Sequence, residues 1–262
     1  MSARSGPCIR KRSFIVFSLK TEKRWRIAMI VMITGSAGGI GRATAEYFIK
    51  NGHEVHGLDL ISPDPKIAAH EDSVTAEASG EAGGRYIHHI ADVTKPETFP
   101  TGVKPQILIS CAGVQNTGSD IEVNLKGVIN ITERYALENE EILSVVNVGS
   151  ASGHTGSEFP EYSASKGGVI AYTRNVALRL APRAICNSID PGGVMTELNR
   201  CVTDDDELWG QIMELTPLKR WAEPEEIAQW IYFVGVTNRF MTGQNLVIDG
   251  GEAGYNKFIW KD

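Results

Sequence analysis

Tyr162 and Lys166 stand four residues apart in Tyr162-Ser163-Ala164-Ser165-Lys166. In a helix that spacing makes them surface neighbours about 6 Å apart along the axis, with a phenol and an ammonium on one face. An unperturbed phenol titrates near 10, too high for a general base at neutrality, and a nearby cation lowers it. The pair therefore reads as a proton donor and acceptor. A second constellation precedes it: Thr34-Gly35-Ser36-Ala37-Gly38-Gly39-Ile40-Gly41, then Asp59 18 residues beyond Gly41. Glycines at a strand-to-helix turn let backbone N–H groups approach a pyrophosphate at the positive end of the helix. An acid about 20 residues on can hydrogen-bond the hydroxyls of an adenosine ribose.

The surrounding elements must hold these groups together. Ile27 to Ile33 is almost wholly apolar, as in a strand buried on both faces of a parallel sheet. An amphipathic helix follows through Ala43, Ala45, Phe48 and Ile49 and stops at Gly52. Further strands are expected at His53 to Leu60, Arg85 to Ile90, Gln106 to Cys111, Ile142 to Val148, Arg183 to Ile189 and Gln244 to Ile248. Helices are expected at Ile67 to Ala78, at Asp120 to Glu138, around Tyr162 to Leu180, at Asp204 to Leu215 and at Glu223 to Val234. Only residues 94 to 104 separate the third strand from the fourth, too few for an ordinary crossover helix. The pattern predicts one α/β domain over residues 29–262, a doubly wound, mainly parallel seven-stranded sheet with helices on both faces.

Composition excludes several classes. The net charge is −6, yet residues 1–28 hold eight of the 26 Lys/Arg and one acid, leaving −13 from Met29 onward. So acidic a body argues against nucleic acid or anionic membrane as a partner. The apolar run Phe14 to Leu19 is far shorter than the ~20 residues of a membrane span. Residues 1–28 are expected to be a poorly ordered leader, either a basic targeting segment or the product of a start placed upstream of Met29. Cys8, Cys111, Cys186 and Cys201 lack metal spacing and read as reduced intracellular thiols, consistent with a cytoplasmic protein. The six histidines are scattered, and no metal site is expected.

With these motifs in order, the chain resembles the short-chain dehydrogenase/reductases over residues 29 to 251. The resemblance rests on TGSAGGIG (34 to 41), Asp59, Asp92-Val93, Cys111-Ala112-Gly113 where the family usually has Asn-Ala-Gly, Asn124, Ser150, Tyr162 to Lys166, Pro191-Gly192 with Thr196, and Asp249-Gly250-Gly251. The glycine turn fits both the short branch and the longer epimerase and dehydratase branch. Eleven residues follow Gly251, so the short, single-domain branch is expected.

The resemblance implies that Tyr162 exchanges a proton with a carbonyl or alcohol oxygen while hydride moves to or from a nicotinamide. Lys166 would lower the Tyr162 pKa and hold the nicotinamide ribose, Ser150 rather than Ser152 would bond the substrate oxygen, and Asn124 would position a relay water. Gly35, Ser36, Gly39, Ile40 and Gly41 would cradle the pyrophosphate, Asp59 the adenosine ribose and Asp92 and Val93 the adenine. Ala112 and Gly113 would pass beneath the ribose, and Val194 and Thr196 would reach the nicotinamide amide. An acid at 59, with no Arg or Lys in the glycine turn or just after Asp59, favours NAD over NADP.

The expected activity is NAD-dependent interconversion of a secondary alcohol and a ketone. Its substrate would be small and hydrophobic or cyclic, such as a steroid or acyl group. It would lie under a lid from Met195 to Pro217 carrying Leu198, Trp209, Ile212, Met213 and Leu215, with His154 and Phe159 opposite. A non-catalytic NAD-binding sensor or scaffold is the alternative. The family resemblance implies a homodimer or homotetramer, although the short crossover and the short segment from Gly113 to Asn124 trim helices beside the usual subunit interface.

Overall fold

The computed structural model describes residues 28–63, 83–157 and 159–254. The basic leader and the helix expected at Ile67 to Ala78 lie outside the described residues. Strand β1 (Ile30–Thr34) runs into helix α1 (Gly39–Lys50), β2 (Glu54–Asp59) and β3 (Arg85–Ile90). The short crossover holds only a 3-10 turn, Pro96–Thr98, before β4 (Ile107–Ser110). Residues 121–137 form one helix whose α-helical middle, α2 (Gly127–Thr132), is flanked by π-helical turns at Ile121–Lys126 and Glu133–Leu137. Next come β5 (Ser144–Val148), the single turn α3 (Ser152–Thr155), the long α4 (Pro160–Leu180) and β6 (Ile185–Pro191). Short helices α5 (Arg200–Thr203) and α6 (Asp206–Leu215), then α7 (Pro224–Tyr232), precede β7 (Asn245–Ile248).

All strands pair in parallel, in the order β3-β2-β1-β4-β5-β6-β7. The expected doubly wound, seven-stranded α/β sheet is therefore present. Alternation along the strands splits the core into two layers. Val31, Ile33, Val55, Ile107 and Val146 meet Phe48 of α1 and Ile227 and Ile231 of α7 on one face. Met32, Leu58, Leu108 and Val145 meet Ile131, Tyr135, Val176 and Leu180 on the other. The strand order reverses between β1 and β4, which opens a crevice at their C-terminal ends, where open α/β sheets bind ligands.

Candidate active site

The crevice is a cleft of about 1320 Å³. Its floor is the glycine turn, whose close packing explains the residue choices. A Cβ on Gly41 would lie 2.0 Å from the Gly35 carbonyl oxygen, and one on Gly35, at φ +70°, would lie 2.8 Å from the Ala112 backbone. No side chain caps the start of α1, and its first turn carries no acid. The first N–H groups of a helix have no partner within it, and here the residues that carry them, Gly39, Ile40 and Gly41, line the cleft. A glycine cradle with free helix-end donors fits a dinucleotide pyrophosphate.

Gly35, Gly39, Ile40, Gly41, Asp59, Asp92, Val93, Ala112, Gly113, Val194 and Thr196 all line the cleft. Ser36 does not. Its side chain is fully buried, and its hydroxyl meets that of Tyr86 at 2.9 Å. Gly57 leaves the room for this contact, since a Cβ there would lie 2.1 Å from the Tyr86 oxygen. Ser36 therefore props the turn from behind, and its side chain is not part of the cradle. Asp59 is oriented by backbone donors: Ala37 N–H on Oδ2 at 3.0 Å and Leu60 N–H on Oδ1 at 2.7 Å. Arg42, the residue after Gly41, also lines the cleft and leans on Glu46 at 4.0 Å, so a cation does stand near the glycine turn. Asp92 turns its carboxylate onto Thr94, whose hydroxyl at 2.7 Å and N–H at 2.9 Å hold it below the usual carboxylate range.

Thr34 ends β1 and joins it to β4: its hydroxyl oxygen accepts the N–H groups of Cys111 and Ala112, both at 3.0 Å. These bonds set the path of Ala112-Gly113 beside the turn. Cys111 also lines the cleft, and burial pushes its thiol up to about 12.

At the other end of the cleft, α4 presents Tyr162 and Lys166 one turn apart. The Lys166 Nζ lies 5.7 Å from the Tyr162 ring centroid and donates to the Val148 carbonyl at 3.0 Å. Lys166 is only 5% exposed, and burial lowers its pKa. Asn124 lies behind this pair, fully buried and outside the cleft lining. Its Oδ1 accepts the Val114 N–H at 2.8 Å, and its Nδ2 donates to the Val114 carbonyl at 2.9 Å and to the Ser165 hydroxyl at 3.1 Å. Ser165 in turn donates to the Tyr162 carbonyl at 2.7 Å. Asn124 sits in the first π-helical turn, a distortion that often accompanies functional sites.

Ser150 and Ser152 both line the cleft, with hydroxyls 2.8 Å apart, and the Ser150 oxygen accepts the Ser152 N–H at 3.2 Å. The expected lid differs in detail. Met195, Leu198, Leu208 and Ile212 reach the cleft, and Phe159 faces them as expected. Trp209 instead packs edge-on against Trp221, with centroids 5.0 Å apart, and Leu215 is 62% exposed. Met213 stays out of the lining. His154 also turns away from the cleft, to Asp190. The partners missed in the sequence, Tyr86, Ser165 and Asp190, lie far along the chain from the residues they support or carry no motif of their own.

Among the described residues no group of three His, Cys, Asp or Glu could hold a metal ion, and no helix is long and apolar enough to cross a membrane. Two family models match the chain. One, enoyl-(acyl carrier protein) reductase, covers residues 109–253; the other, the NAD-dependent epimerase/dehydratase family, covers residues 31–168. A 3-oxoacyl-[acyl-carrier-protein] reductase of Thermotoga maritima is 30% identical over 246 residues, spanning 85% of this chain and 96% of that protein. Among solved structures, a Brucella melitensis 3-oxoacyl-[acyl-carrier protein] reductase with bound NAD superposes with a TM-score of 0.72 at 25% identity, covering 87% of this chain and 92% of that one. A putative 2-deoxy-D-gluconate 3-dehydrogenase of Agrobacterium tumefaciens with bound NADP does so with a TM-score of 0.74 at 25% identity, covering 86% and 96%. A nicotinamide cofactor is thus common to the neighbours and fits this cleft. With the sheet order, the glycine turn and the Tyr162–Lys166 helix all in place, the chain belongs to the short-chain dehydrogenase/reductase family.

Proposed function

We propose that residues 29–262 form an NAD(H)-dependent oxidoreductase that interconverts a secondary alcohol and a ketone. The observation that carries the reading is a buried Lys166 ammonium beside the Tyr162 ring, at the end of a cleft whose other end is Asp59. Gly35, Gly39, Ile40 and Gly41 would hold the cofactor pyrophosphate through backbone N–H groups and Asp59 its adenosine ribose. Asp92 and Val93 would flank the adenine, Ala112 and Gly113 the ribose, and Val194 and Thr196 the nicotinamide amide. When bound, the nicotinamide supplies or accepts the hydride at the reacting carbon.

The chain's own residues handle the proton. The Tyr162 hydroxyl donates it to the carbonyl oxygen in reduction and takes it from the alcohol in oxidation. The Lys166 charge favours the phenolate. The Ser150 hydroxyl donates to the oxygen on which charge develops, with Ser152 fixing its rotamer through their mutual contact. Asn124 keeps the Tyr162 turn in register through Ser165 and holds a relay water for Lys166. Val114, Phe159, Met195, Leu198, Leu208 and Ile212 make the substrate end largely apolar, which favours an acyl or cyclic ketone. The same reading takes the chain as a homo-oligomer, which light scattering would size.

The test is NADH oxidation with a panel of β-ketoacyl thioesters, cyclic ketones and sugar lactones, with Tyr162→Phe beside the wild type. Turnover should fall at least about 100-fold in the variant. Unchanged turnover would remove the mechanism, and tight NADH binding without turnover of any ketone would favour the sensor.

A further inference from the structure

The chemistry above leaves the buried acid Asp190, behind the site, unused. Asp190, near the end of β6, is fully buried, and a buried carboxylate has to be paired to be tolerated. Its Oδ2 lies 2.5 Å from His154 Nε2, whose side chain is 30% exposed and so open to protons from solvent. Its Oδ1 lies where a side chain on Gly149 would begin, since a Cβ there would be 2.1 Å away. Gly149 precedes Ser150 and follows Val148, whose carbonyl accepts the Lys166 ammonium at 3.0 Å. The Ala151 N–H donates to the Pro191 carbonyl at 2.8 Å and closes the same turn against β6. A negative and a positive charge are thus buried against consecutive residues of the strand end that presents Ser150.

We propose that His154 and Asp190 are positioning residues that set the charge felt by Lys166 and Tyr162. The Asp190 carboxylate places a negative charge behind this strand end that steadies the Lys166 ammonium, and His154 Nε2 holds that carboxylate in place. This rests on the roles proposed above for Tyr162 and Lys166. Burial raises the Asp190 carboxyl, opposed by His154 and by the Lys166 charge. Burial lowers Lys166, opposed by Cys111 just after β4 when ionised, by Asp190, and by Asp120 ahead of the helix at residues 121–137. Beyond the Pro191-Gly192 turn stand Asp249 and Glu252, both close to Gly192, with the Asp249 carboxylate taken up by the N–H groups of Gly251 and Ala253. Loss of a nearby negative charge lowers the pKa of every neighbour, so Asp190→Asn, which keeps shape and a hydrogen-bond acceptor, moves Tyr162 and Lys166 to lower pH.

The experiment follows Tyr162 in the cofactor-free protein labelled with ¹³Cζ-tyrosine, its signal assigned by its loss in Tyr162→Phe. In Asp190→Asn the Tyr162 midpoint should fall by at least about half a pH unit, and the acid limb of the kcat profile for alcohol oxidation should move the same way. In His154→Gln, which keeps a donor on the carboxylate, the midpoint should not fall. A folded Asp190→Asn protein with an unmoved midpoint would overturn the proposal, as would equal downward shifts in both variants. If Asp190→Asn fails to fold, a downward shift of the midpoint in His154→Gln, which leaves the carboxylate charge in place, overturns it instead. Full turnover in Tyr162→Phe would defeat the functional reading alone, because the labelled-tyrosine titration still judges the pair.

Discussion

Replacing Asp59 by asparagine removes one charge at the adenosine end of the cleft while sparing its geometry. The carboxylate is oriented by the Ala37 N–H at 3.0 Å and the Leu60 N–H at 2.7 Å, and an amide oxygen can accept one of these in the same place. A 2′-phosphate carries close to two negative charges. Some 5 Å from a carboxylate in a partly solvated cleft, with an effective dielectric of about 40 to 80, it is disfavoured by about 2–3 kcal/mol. That corresponds to roughly 30- to 150-fold weaker binding of NADPH than of NADH in the wild type. Asp59→Asn should bring the two affinities to within about threefold and weaken NADH itself by about tenfold, through loss of a charged hydrogen bond to the ribose. Fluorescence titration of both cofactors at one fixed ionic strength measures all four constants. A wild type that prefers NADPH, or a ratio unchanged in Asp59→Asn, would refute the reasoning and point to Arg42 as the residue that reads the ribose.

Two further outcomes follow from packing and charge. Gly41→Ala drives a methyl group to 2.0 Å from the Gly35 carbonyl oxygen, a backbone atom of a residue whose own Cβ position is closed off by the Ala112 backbone. It should cost about 2–3 kcal/mol in urea unfolding and weaken NADH binding as the turn shifts. The Glu226 carboxylate takes two bonds from Arg220, at 2.6 and 2.8 Å, and the Glu223 N–H at 2.9 Å, which hold it down to about 2. A depressed folded-state pKa stabilises the fold above the ordinary value near 4.5 and loses that effect as pH falls through about 2. Glu226→Gln should therefore lower the thermal midpoint at pH 7 by only about a degree or two, since the pair is exposed and screened, and by less as the pH is lowered towards 2.

Much of the site could be read along the chain because its parts are local. The glycine turn, Asp59 at a strand end and the Tyr162–Lys166 spacing each lie within one strand–turn–helix unit or one helical turn, where residue type and period fix geometry. Strand identities followed from apolar runs, with boundaries displaced by up to three residues. β6, for instance, spans Ile185–Pro191, not Arg183 to Ile189, because its ends are set by pairing with β5 and β7. The π-helical turns around α2 carry no sequence signal; they lie where that helix packs against α4.

The sequence by itself determined that a glycine turn, an acid at a strand end and a phenol–ammonium pair exist and come in an order that the doubly wound sheet brings to one crevice. Only the tertiary structure decided which way individual side chains face. Ser36 turns to Tyr86, 50 residues away, because Gly57 leaves a gap there. His154 abandons the substrate side for Asp190, 36 residues on, because a buried carboxylate must be paired. Contacts of that range depend on strand order and register, and no local period in the chain encodes them.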